Sequence, residues 1–151
     1  MIKGKTTYSN DEENFSKPDQ RLLRKDSWLT AKDLSSSFKY AVQGLLYNLL
    51  TQRNFRIHIF ISVVVSILAI WLNLSFDDFA IIVLTIGAVL VLELINTSIE
   101  AVVDLSIGKH FHSLARIAKD SAAAAVLVAS LCSVLIAALL ILPPLLHRLH
   151  L

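Results

Sequence analysis

A single cysteine, Cys132, leaves this 151-residue chain without an intrachain disulfide. It falls inside an apolar run, where it reads as a small packing residue. Excess charge is lacking too. Fourteen Lys and Arg against twelve Asp and Glu give a formal +2, too little for the broad basic field that would point to nucleic acid. The phosphate-cradling patterns G-x-x-x-x-G-K-[ST] and G-x-G-x-x-G are both missing, so no familiar soluble nucleotide loop is in view. The first 35 residues hold no apolar stretch of the kind a secretory leader carries, and no cleaved leader is expected.

What the chain has is apolar length. Hydrophobic residues make up 55% and the mean hydropathy is +0.63, against roughly 45–50% apolar in a soluble domain. Three runs account for the excess, at about 57–74, 79–105 and 118–142. Each approaches or exceeds the ~18–20 residues that carry a helix across a ~30 Å hydrocarbon core. The first contains His58. The expectation is an all-α integral membrane protein with three transmembrane helices.

Ten of the fourteen basic residues precede the first run, and Lys109, Arg116 and Lys119 lie at the second junction. The link "NLSFDD" has none. Basic residues stay on the cytoplasmic side, so the N-terminus and the second junction face the cytoplasm and the C-terminus lies outside. Residues 1–33 are polar and charge-mixed and read as a disordered cytoplasmic extension, with a membrane-touching turn around Trp28 and Leu29. In "LSSSFKYAVQGLLYNLL", residues 34–50, apolar positions recur at helical spacing, as in an amphipathic helix on the membrane surface. Ser35–Ser37 supply cap candidates. The domain proper is then 34–146, with 147–151 a short tail after Pro143 and Pro144 end the third span.

Two polar features stand against this background. In "TQRNFRIH", Arg53, Arg56 and His58 crowd the cytoplasmic interface, where they either snorkel to lipid phosphates or bind a phosphorylated ligand. In "ELINTSIEAVVD", advancing about 100° per residue from Glu93 puts Asn96 near −60°, Glu100 near −20° and Asp104 near +20°. The four share an arc of about 80°. Counted from Phe79, Glu93 lies about 21 Å along the axis, Glu100 about 31 Å and Asp104 about 37 Å. Lys119 and Asp120 open the third span at a similar level. Carboxylates are costly in hydrocarbon, so such a stripe marks a function.

Oxygen donors at this spacing suit a hard divalent cation. Glu93, the deepest and least hydrated carboxylate, suits a general base. Metal-assisted phosphoryl transfer to a membrane alcohol fits that combination. Helix packing and an ion or proton path are the alternatives. From Ala80 to Leu92 only Thr85 is polar, and a conducting path would need more.

The pattern E-x-x-N-T-x-I-E-x-x-V-D, with "AKD" at Ala118–Asp120 and three spans behind a surface helix, resembles the prokaryotic membrane diacylglycerol kinase and undecaprenol kinase family over residues 35 to 145. The resemblance implies a homotrimer in a bacterial cytoplasmic membrane, with active sites between neighbouring subunits and ATP and Mg²⁺ as co-substrate and cofactor. It makes Glu93 the base for the lipid hydroxyl, hydrogen-bonded with Asn96, and Glu100 a ligand of the magnesium on the phosphates. Asp104 would line the nucleotide site, with Lys119 and Asp120 on phosphate and adenosine groups. His110, Phe111 and His112 match the loop near the nucleotide, and Tyr40 and Arg56 the nucleotide and lipid entrances. Gln52 stands where many members carry a second metal-binding glutamate, so a second cation would be held only by a neutral carbonyl. "RNFRIH" is closer to the branch that phosphorylates undecaprenol, and diacylglycerol is the alternative acceptor. A non-catalytic oligomer, an ion path or scaffold, is the alternative of another class.

Overall fold

The computed structural model describes residues 34–108 and 110–149, with the side chains of Leu34 and Ser35 excepted. The expected extension at 1–33, with its turn at Trp28, lies outside the described residues. By contact the chain divides into units 1–41 and 42–151. The second carries everything described below unless stated.

Among the described residues four helices follow one another: α1 Leu34–Thr51, α2 Arg53–Trp71, α3 Phe76–Ile107 and α4 Ser113–Arg148. No strand occurs among the described residues. α2, α3 and α4 are each long and apolar enough to cross a membrane, and the protein is an all-α integral membrane protein. Large apolar side chains such as Phe60, Ile67, Leu84 and Leu135 stand exposed along them. In water that would be a liability; in hydrocarbon it is the solvent-facing surface.

The α2–α3 turn is built by local chemistry. Asn73 takes a left-handed φ of 53°, its N–H donates to Ile70 O at 3.0 Å, and Leu74 N–H donates to Ala69 O at 3.2 Å. This is a Schellman C-cap with asparagine in the glycine position, and Leu74 packs against the apolar cluster that includes Ala69. Ser75 then caps α3, its hydroxyl accepting from Asp78 N–H at 3.1 Å and donating to Asp78 Oδ2 at 2.6 Å. The turn feeds an apolar cluster of Ala69, Leu72, Ile82 and Ile141, which joins the three spans near this end.

Pro143 and Pro144 do not end the last helix, contrary to the reading of the sequence; α4 runs through them to Arg148. The prolines remove the N–H groups that would bond two carbonyls one turn back. Tertiary contacts hold the last turn all the same. Leu145 packs on the apolar cluster, and the Arg148 guanidinium donates to Trp71 O at 2.6 Å and lies 4.4 Å from the Trp71 ring centroid.

α2 has 19 residues and α3 has 32, about 28 Å against 48 Å at 1.5 Å per residue. Since a short turn joins them, α3 continues about 20 Å past the start of α2, alongside the first turns of α4. Asn96, Glu100 and Asp104 lie on that far part of α3, and Glu93 lies level with the first turns of α2.

Candidate active site

Glu93 is 3% exposed, which separates it from the other carboxylates among the described residues. Asn96 and Thr97 are buried beside it, and Glu100 is half-buried one turn on. The Thr97 hydroxyl donates to Glu93 O at 3.1 Å, so it needs no partner outside its own helix. Asn96 is arranged differently from expectation. Its amide Nδ2 donates to Glu100 Oε1 at 3.4 Å, not to Glu93, although both residues neighbour it on the helix face. Its carbonyl Oδ1 is buried and has no partner. Such an acceptor is costly to leave bare and asks for a donor, a hydroxyl or a water. Glu93 also interacts electrostatically with His58 on α2 and with Glu100.

Farther along α3 the stripe reaches α4. Lys119 Nζ lies 2.6 Å from Asp104 Oδ1, tying the two helices together at a partly exposed ion pair. The connection turns at Gly108, whose φ of 58° and ψ of −123° belong to glycine alone. His112 caps α4, its Nδ1 accepting from Leu114 N–H at 3.2 Å. α4 therefore begins at Ser113, five residues ahead of the expected span, and Arg116, Lys119 and Asp120 sit within its first turns. An open cleft of about 200 Å³ forms here, lined by His110, Phe111, His112, Arg116, Lys119 and Asp120, with Val103 and Ile107 as its apolar wall. Phe111 is 81% exposed between its two histidines.

The expected residues thus form two groups on one helix pair, the buried layer Glu93–Asn96–Glu100 and the cleft past the Asp104–Lys119 pair. Gln52 sits at the α1–α2 junction in extended conformation with no capping bond, and Arg56 is exposed on α2. Tyr40, in the first unit, is exposed. Among the described residues no three of His, Cys, Asp and Glu converge as a metal cage. Magnesium seldom needs one, since one or two carboxylates and the substrate's phosphates usually hold it. Glu100, half-buried on α3, fits that partial donor set.

A second polar feature lies between the three spans. His58, Ser62, Thr85, Ser130 and Ser133 line a cavity with otherwise apolar walls. Ser62 and Thr85 donate to carbonyls of their own helices, at 2.7 and 2.9 Å, while Ser130 Oγ is buried without a partner. Reading the sequence missed this set, because its members come from three helices, one or two polar residues from each. Thr97 could have been found, since it falls about 40° from Glu93, at the edge of the same arc.

The model of the prokaryotic diacylglycerol kinase family matches residues 39–141. A diacylglycerol kinase from Synechocystis sp. is 48% identical over 132 residues, covering 87% of this chain and 75% of that one. An undecaprenol kinase from Bacillus subtilis is 43% identical over 109 residues, covering 72% of this chain and 88% of that one. A diacylglycerol kinase from Escherichia coli K12 is 31% identical over 96 residues, 64% of this chain and 78% of the other. The match takes in the buried carboxylate layer, the Asp104–Lys119 pair and the cleft; the chain belongs to the prokaryotic diacylglycerol kinase family and is an ATP-dependent lipid kinase of a bacterial membrane.

Proposed function

We propose that the chain moves the γ-phosphate of ATP to the hydroxyl of a membrane lipid at the cytoplasmic face of the inner membrane. The observation that carries this reading is the burial of Glu93 on the same helical face as a half-buried Glu100 and a bare Asn96 carbonyl. The lipid hydroxyl oxygen attacks the γ-phosphorus, the bond to the β-phosphate oxygen breaks, and the hydroxyl proton passes to Glu93. ADP and the phosphorylated lipid leave. Asn96 Oδ1 orients the hydroxyl by accepting from it before the transfer. Glu100 would hold Mg²⁺, which would offset the phosphate charge when bound, and Gln52 would contribute at most a neutral carbonyl. The nucleotide occupies the cleft of His110, Phe111 and His112, with Lys119 and Asp120 at its phosphate and adenosine ends and Asp104 beside them. Arg56 stands at the lipid entrance, and the working unit is a homotrimer with sites between subunits.

Undecaprenol is the favoured acceptor on the stretch "RNFRIH". Diacylglycerol is the second reading, supported by the 48% identity to a protein named for it. Transfer of labelled γ-phosphate from ATP, with each lipid supplied separately to the purified protein, distinguishes them. Label in undecaprenol at the higher rate is the expected outcome. Label in neither lipid from folded protein would contradict the reading.

A further inference from the structure

The nucleotide cleft contains a cation for which the mechanism above has no use. Lys119, the expected phosphate ligand, already has its charge matched by Asp104 at 2.6 Å. Arg116 lines the same cleft, one turn of α4 before Asp120, and meets that carboxylate through Nε at 3.4 Å. The other nitrogens of its guanidinium, which carry four N–H donors, make no hydrogen bond among the described residues, and the side chain is 72% exposed. A guanidinium offers a planar fork that matches two phosphate oxygens at once, whereas an ammonium is a point charge. Asp120, by engaging Nε, leaves the fork end free.

We infer that Arg116 grips the polyphosphate of the nucleotide and that Asp120 positions it for this, an inference that rests on the kinase reading placing ATP in the cleft. On a bland surface, an Arg–Asp pair at i,i+4 contributes a few tenths of a kcal/mol and touches no ligand. Here the pair borders a cleft with two histidines and an exposed aromatic ring, and its partner cation is already engaged. A charge-assisted bond of this kind corresponds to about a tenfold change in affinity or more.

The test is equilibrium binding of ATP, adenosine and inorganic tripolyphosphate, each with magnesium, to the full-length protein in lipid nanodiscs. Arg116→Gln should weaken ATP and tripolyphosphate about tenfold and leave adenosine unchanged. Arg116→Lys, which keeps the charge and loses the fork, should fall between. Because the residue is exposed, neither variant should disturb folding, which a melting curve confirms. Unchanged tripolyphosphate affinity in Arg116→Gln overturns the inference, as does an equal loss for adenosine, which would mark a structural effect. Absence of ATP binding to the parent protein would instead overturn the kinase reading of the cleft.

Discussion

Replacing Glu100 by glutamine would keep the shape of the side chain and remove the one half-buried negative charge beside Asn96. Phosphate-bound magnesium would then have a weaker protein anchor, and we expect the magnesium concentration for half-maximal activity to rise several-fold. An unchanged magnesium titration would take Glu100 out of the metal's surroundings. Gln52→Glu should move the same titration the other way, by restoring an anionic oxygen at the α1–α2 junction. At this scale much of the site was legible, because a helix converts sequence spacing into direction. Glu93, Asn96, Glu100 and Asp104 fall on one arc in the primary structure and on one stripe in the fold. Which neighbour Asn96 bonds was not legible. A difference of one residue decides between Glu93 and Glu100, and the rotamer settles it.

Two junctions set how the helices present these residues. Gly108 turns the chain from α3 towards the histidine-bearing link, in a backbone region closed to residues with a Cβ. Gly108→Ala should cost about 1–3 kcal/mol of strain. A lower melting temperature with a raised KM for ATP is the expected result, and parental values for both would show that the turn tolerates a side chain. At the opposite end, Arg148→Ala removes a carbonyl bond and a ring contact to Trp71. It should lower stability by about 1–2 kcal/mol and leave kcat unchanged, which a thermal melt and an activity assay check together. These junctions were the least legible part of the chain. Pro143–Pro144 looked like a stop because proline acts locally, while what carries α4 past them is a contact between Trp71 and Arg148. The start of α4 was misplaced because histidine is not among the usual capping residues.

As a whole the molecule uses hydrocarbon as its solvent, and that was legible from composition alone. Three apolar runs of sufficient length leave little choice but spanning helices, since every backbone group must be satisfied within the membrane. Among the described residues a modest apolar cluster joins the spans, and many large apolar side chains stand exposed along them. Depth along α3 then sorts the carboxylates, Glu93 among buried neighbours and Asp104 at an exposed ion pair. The hydroxyl-lined cavity escaped notice because it exists only when three helices meet. The central claim is that the buried end of the stripe takes the lipid proton. The most direct measurement is lipid phosphorylation by the parent protein and by Glu93→Gln in nanodiscs, with MgATP binding recorded on the same samples. The account predicts a loss of at least about a hundredfold in kcat with nucleotide affinity intact. Turnover at the parental rate in Glu93→Gln would contradict it.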